Sequence, residues 1–347
     1  MSSPSRWRRI GNDLKALLTI HKHPRPWHLP LVAALAASLP MFLGALTDTM
    51  SQAVLASIGG LVIIYMPHAP LMRRLITVIV ALFGFIVSFS FVDSLSFNPY
   101  VGAFAVALIT MLANGLVRYW QIPPPGRFFF IMIAALAATL PFDIALLPVR
   151  IGWLTVGAIF AVVLVVLYSL AIPVTHHAKP IEPVAPVFRR EIITESVLIG
   201  MIVGGSLALA NGIGLVNPYW VPISCAAIMQ GATVRDMRHR KIHRISGTII
   251  GMALAYWLWS WNMSPLQVAL AVFVLMFIIE TLIVRHYGLT VVFITPMTLL
   301  LAESALGNLA LEELVQARVV DIALGSTIGF VAGWLLLYRR QRASRLN

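Results

Sequence analysis

MRHRKIHRISGTIIG, residues 237–251, runs from a dense basic cluster straight into an apolar segment with glycines four apart. Counted from Arg235 to Arg244, the cluster holds five lysines and arginines, two histidines and one aspartate. On a water-soluble chain such a cluster would point to nucleic acid. This chain is not built for water. Of its 347 residues 59% are hydrophobic and 11% charged, and the mean hydropathy is +0.89. Soluble domains carry about 25% charged side chains. The composition predicts an all-α polytopic membrane protein, in which the cluster is a loop between two spans.

A helix needs about 20 apolar residues to cross the hydrocarbon core. Twelve segments are candidates: 29–46, 50–67, 74–92, 98–117, 128–147, 150–172, 193–211, 217–233, 244–261, 265–284, 288–305 and 318–338. Two of them, 50–67 and 217–233, are short. With the N-terminus inside, all but Arg150 and Arg318 of the 25 lysines and arginines fall on the inner side, as the positive-inside rule requires. Asp48, Asp93, Asp143, Glu303, Glu312 and Glu313 gather at the outer ends. One missed or extra span would destroy this asymmetry. The expectation is therefore twelve spans in a bacterial inner membrane, with both termini cytoplasmic. Nucleic acid drops out as a partner and the lipid bilayer takes its place.

Within residues 1–28, Trp7, Ile10, Leu14, Leu17 and Leu18 fall on one helix face and basic residues on the other. That pattern predicts an amphipathic segment lying along headgroups. No apolar core or small-residue cleavage site follows Arg6 to Arg9, so it is not read as a secretory signal. Residues 29–172 and 193–338 form two six-helix halves, joined by a proline-rich linker, 173–192, and followed by a basic tail, 339–347. His176 and His177 in the linker lack carboxylates or thiols at metal-ligand spacing, and Cys225 stands alone in an apolar segment. No metal, disulfide or cofactor is predicted.

The glycines of the opening stretch belong to a wider pattern. Gly247 and Gly251 follow Arg240 by seven and eleven residues, and Gly325 and Gly329 follow Arg318 at the same offsets. Gly157 and Ala161 follow Arg150 likewise, as Val80 and Gly84 follow Arg73. At 100° per residue both offsets return to one helix face, where small residues four apart let helices approach closely. Arg73 and Arg150 recur 167 and 168 residues later as Arg240 and Arg318. The pattern predicts two similar halves of two three-span units each, the second unit inverted because three is odd. Arg150 and Arg318, which break the positive-inside rule, belong to the inverted units.

NPYWVP (217–222), RISGTIIG (244–251), YGLTVVFITPMTLLLAE (287–303) and ARVVDIALGSTIGFVAG (317–333) follow one another in an order that resembles the fusaric-acid-resistance-like family. That family includes aromatic acid exporters and is related to the plant aluminium-activated malate transporters. The resemblance is best over 190–338, in Tyr219, Trp220 and Pro222 and in Arg244, Gly247, Thr248 and Gly251. In the first half PPPGRFFFIM (123–132) looks similar, but no tyrosine–tryptophan pair stands where Tyr219 and Trp220 would require it. The resemblance implies an inner-membrane efflux protein for aromatic or other small organic anions. Its partners would be those anions, protons, and a second copy of the chain or a periplasmic adaptor. Many family members carry a large soluble cytoplasmic region after a six-span block, for which this linker is too short.

Inverted repeats place substrate sites near the midplane, where helices are short or broken. Pro218 and Pro222 open the short segment 217–233, and Pro296 interrupts 288–305, as broken helix or as packing kink. Tyr219 and Trp220 read either as an interfacial belt or as a stacking platform. Arg240 and Arg244 suit carboxylates through their planar forks, or lipid headgroups. Glu280, deep in FIIETLIV, should face water or a partner; it is a proton carrier or pairs with an arginine, Arg285 being five residues on. Arg318 and Asp321 are expected to pair at i, i+3, and Arg150 with Asp143. Arg318 is a further substrate candidate, and Asp321 and Glu303 further proton candidates. His68 and His286 are weaker relays. HExxH, a nucleophile elbow and Walker A are all missing, which argues against enzyme and ATP-driven pump. An organic-anion exporter is the first expectation and a passive anion channel the alternative.

Overall fold

The computed structural model describes residue 17 and residues 19–172, 190–306 and 311–343, with side chains except at 302–306, 311–317 and 340–343. Most of the N-terminal amphipathic segment, the linker 173–189 and residues 344–347 lie outside the described residues. Twelve α-helices account for the described chain: α1 His28–Leu46, α2 Met50–Gly60 (continued as a 3-10 turn, Leu61–Tyr65), α3 Leu71–Ser94, α4 Pro99–Tyr119, α5 Phe128–Ala137 and α6 Leu147–Ala171. The second set is α7 Arg190–Gly212, α8 Trp220–Ile228, α9 Val234–Trp259, α10 Pro265–Leu282, α11 Tyr287–Leu306 and α12 Leu311–Ala343. Among the described residues there is no strand.

One helix falls in each candidate segment, but not all are long enough to be spans. Seven helices are long and apolar enough to cross a membrane: α1, α3, α4, α6, α7, α10 and residues Arg318–Arg339 of α12. Residues Met50–Tyr65, helix α5 and residues Tyr287–Leu301 of α11 are shorter apolar stretches, and α8 has only nine residues. Segment 128–147 loses its second half because the helix stops at Ala137, shortly before Pro141, whose ring disfavours helical backbone in the residue ahead of it. In α8, Pro222 sits in the first turn, where its missing N–H costs no helical bond.

The basic cluster is not a loop. Thr233 Oγ1 accepts from the Asp236 amide and Asp236 Oδ2 from the Thr233 amide, both at 3.1 Å. This reciprocal cap starts α9 ten residues ahead of the expected span and makes the whole cluster helical. At the other end of the chain, residues 339–343 of the expected tail continue α12.

The tightest packing runs through small residues. Helix α8 lies against α12, where Gly325 faces the carbonyl of Val221 and a Cβ on Gly329 would stand 2.5 Å from that of Cys225. Helix α2 lies in the same way against α6, with Gly157 on the backbone of Ala56. On α9, Gly247 and Gly251 approach α11, and a Cβ on Gly251 would stand 2.5 Å from Val292 O. That carbonyl belongs to the residue four before Pro296, which has no amide to bond it. Gly84 of α3 receives the ring of Phe130 from α5, while Val80 is 64% exposed. Helices α1 and α10 pair, as do α4 and α7, so the first six helices and the last six share an extensive interface.

Outside the helices, residues 19–27 form a strap across the beginnings and ends of α9, α10 and α11. The Leu17 carbonyl accepts from His243 Nε2 (2.9 Å) and His286 Nε2 (2.8 Å), and the His21 amide donates to Arg285 O (3.0 Å). Arg25 donates to both the carbonyl and the carboxylate of Glu280, each at 2.8 Å.

Candidate anion-binding site

Four helices bring together the residues singled out in the second half. The first turn of α8 sets Tyr219 beside Trp220, ring centroids 4.9 Å apart. Trp220 is 8% exposed, walled by Ala135 of α5 and Ile322 of α12, so it is a buried ring and not a belt residue. The Arg318 guanidinium lies 3.8 Å from the centroid of that ring and donates to Thr298 Oγ1 on α11; its Nε has no partner. A cation so placed over an indole face is held by the ring quadrupole.

One turn further along α12, Asp321 is fully buried and neither of its oxygens has a hydrogen-bond partner. The expected Arg318–Asp321 ion pair is not made. The arginine reaches away from its own helix, towards the indole and the threonine, and the carboxylate is left facing the site alone.

Two more guanidiniums continue the arrangement along α9. Arg244, 6% exposed, donates from Nε to Ser224 Oγ (3.0 Å) and from Nη1 to the Tyr287 hydroxyl (3.2 Å). Arg240, one turn before it, stands 5.1 Å from the centroid of the Tyr287 ring and donates to Ala227 O and Gln230 Oε1. The buried hydroxyls of Thr248 and Ser326 have no partner. Among the described residues the ion pairs are Arg25–Glu280, Arg118–Glu195 and Arg150–Asp93, and none includes Arg240, Arg244 or Arg318.

Buried positive charge with only neutral partners is poorly compensated. A carboxylate would accept forked, charge-assisted bonds from such guanidiniums, and an attached ring would find Trp220, Tyr219 and Tyr287 at hand. The arrangement supplies the charged and aromatic groups that recognition of an organic anion calls on.

The other candidates are placed differently. Glu280 pairs with Arg25 of the strap, not with Arg285, because the strap lays its guanidinium directly on the carboxylate. Arg150 pairs with Asp93 of α3 at 3.1 Å and donates to Pro141 O at 2.8 Å, whereas Asp143 caps the Ala145 amide instead. Arg73 is exposed; its neighbour Arg74 is the buried one, bound to Ser169 Oγ and 5.1 Å from the Tyr168 ring centroid. His68 is exposed, and His286 serves the strap. The Glu303 side chain lies outside the described residues.

Sequence reasoning missed Ser224, Tyr287, Thr298, Arg25 and Arg74. Tyr287 could have been found as the aromatic residue opening α11. The two hydroxyls and Arg25 carry no local signal, since their partners are distant in the chain.

Residues 198–332, which contain this entire arrangement, match the family described as fusaric acid resistance protein-like. A curated relative, the uncharacterized membrane protein YvaC of Bacillus subtilis (strain 168), is 34% identical over 159 residues, 46% of this chain and 25% of its own length. The chain thus spans about a quarter of the relative it matches. No solved structure matches.

Proposed function

From the match of residues 198–332 to the fusaric acid resistance protein-like family and the geometry of the site, we propose that this membrane protein is a secondary transporter of small organic anions, aromatic carboxylates among them. The observation that carries this reading is Arg318, buried over Trp220 and, among the described residues, with no carboxylate in contact. Arg240 receives the anion at the basic end of α9, Arg244 with Tyr287 takes it inward, and Arg318 with Trp220 holds it. Each step exchanges one fork for the next without exposing the charge to hydrocarbon.

We read the architecture as twelve membrane segments in two halves of inverted three-helix units. What supports the two halves is the recurrence of partners, α2 on α6 and α8 on α12, α3 with α5 and α6, and α9 with α11 and α12; the inverted units rest on the spacing of Arg73, Arg150, Arg240 and Arg318. Alternating access by rocking one unit against another suits such a plan. The distribution of lysine and arginine supports an inner membrane with cytoplasmic termini.

Uptake of radiolabelled benzoate into proteoliposomes tests the reading. Wild type should carry it and Arg318→Gln should lose at least tenfold, with equal insertion. Equal flux through both would overturn the assignment. The row of guanidiniums also fits a passive channel, which the same vesicles distinguish: a channel follows an imposed voltage and does not saturate.

A further inference from the structure

Asp321 is fully buried, bonded to nothing, and one turn from a buried arginine that is committed elsewhere. An ionised carboxylate stripped of water and hydrogen bonds is costly, and here only the nearby positive charge offsets that cost. The ionisable groups around it are few. Arg318 lies on its own helix, Tyr219 at the start of α8 interacts electrostatically with Asp321, and Arg244 of α9 interacts in the same way with Arg318. Cys225 packs on α12 two turns further along, and Tyr287 of α11 lies beyond Arg244. Helix α5 contributes no ionisable side chain, nor does α7 between residues 200 and 212. The Glu303 side chain on α11 lies outside the described residues.

We infer that Asp321 is a proton-binding group linked to anion binding at Arg318, so that the site holds either an ionised Asp321 alone or an organic anion together with protonated Asp321. The inference rests on the reading of this site as an organic-anion site. Two carboxylates beside one guanidinium repel each other, and the pair is relieved when one of them takes a proton. When R–COO⁻ settles on Arg318, an O–H bond forms on Asp321 with a proton given up by a buffer acid, whose conjugate base stays in solution. One negative charge and one positive charge have then entered together, and the net charge of the site is unchanged. When the anion leaves, the proton leaves, and the Asp321 carboxylate again faces Arg318. Anion and proton move in the same direction, and the flux is electroneutral. Glu280 does not take this part, because Arg25 already holds its carboxylate.

Calorimetric titration of sodium benzoate into the detergent-solubilised full chain, in two buffers of different ionisation enthalpy, counts the protons bound per anion. We expect close to one proton taken up per benzoate, and an affinity that falls about tenfold between pH 7 and pH 8, as linkage of one proton requires. Asp321→Asn should bind benzoate with no proton uptake and no pH dependence, while Glu280→Gln should behave as wild type. Benzoate that binds wild type without a proton, or an Asp321→Asn protein that still takes one up, overturns the inference and leaves the anion site standing. Wild type that binds no more benzoate than Arg318→Gln removes the anion site itself. The wild-type proton count needs no variant, so a misfolded Asp321→Asn leaves the test intact.

Discussion

Arg150 and Arg318 stand at matching places in the two halves of the chain, each near the start of a long helix whose small residues pack a shorter one. Their surroundings differ. Arg150 is neutralised by the buried Asp93 and capped by the Pro141 carbonyl. Arg318 meets an indole face and a hydroxyl, with its nearest acid unpaired. The position 168 residues before Trp220 holds Gln52, so the first half has no ring to support a cation there. The same helix start serves stability in one half and leaves charge available for a ligand in the other. Net charge at a site depends on which neighbour arrives, not on the arginine alone.

The largest effect that tests this comparison is on stability. Arg150→Gln strands the Asp93 carboxylate in a buried position, and removing one partner of such a pair costs about 3–5 kcal/mol. Thermal unfolding in detergent should show a large fall in Tm, restored in good part by adding Asp93→Asn. Arg318→Gln should lower Tm far less, since Asp321 makes no hydrogen bond to Arg318 and can take a proton when that charge is removed. A large loss of Tm in Arg318→Gln would make the two arginines alike and break the contrast.

The helix contacts should behave alike where the charges do not. A methyl group added at Gly329 or Gly157 meets backbone from the neighbouring helix, and overpacking of this kind costs about 1–3 kcal/mol. Similar losses of Tm for Gly329→Ala and Gly157→Ala would sharpen the equivalence of the two halves. A loss confined to Gly329→Ala would restrict close packing to the second.

The smallest effect concerns the ring. Trp220→Phe keeps an aromatic face but weakens the cation–π attraction, which is worth about 0.5–2 kcal/mol in total. Benzoate affinity should change by only a few fold and Tm hardly at all, whereas Trp220→Leu should lose more. If Trp220→Leu binds as tightly as wild type, the ring is packing only.

Much of the fold was legible because it follows from local composition. The low charge, the apolar segments and their punctuation set out an all-helical membrane protein, and a helix lies in each of the twelve segments. Helix lengths were less legible: hydropathy did not anticipate that α5 would stop at Ala137, or that Thr233 and Asp236 would carry the basic cluster into α9. At the site, Arg240, Arg244, Arg318, Tyr219 and Trp220 could be named because charge and aromaticity are conspicuous in an apolar chain. Their partners could not. Spacing offers an acid only i, i+3 or i, i+4 choices, and each pair proposed on local proximity went elsewhere.

The sequence by itself determined the apolar, membrane-protein character of this chain, which segments are helical and most of the small residues that bring helices together, since all of these depend on side chains close in the chain. Tertiary structure alone decided which charges are cancelled. Arg25 reaches Glu280 across 255 residues, Arg150 reaches Asp93 across 57, and Asp321 has no hydrogen-bond partner among the described residues. In a low-dielectric interior the energy of a charge depends on the atoms within a few ångströms, and only the folded chain brings those atoms together.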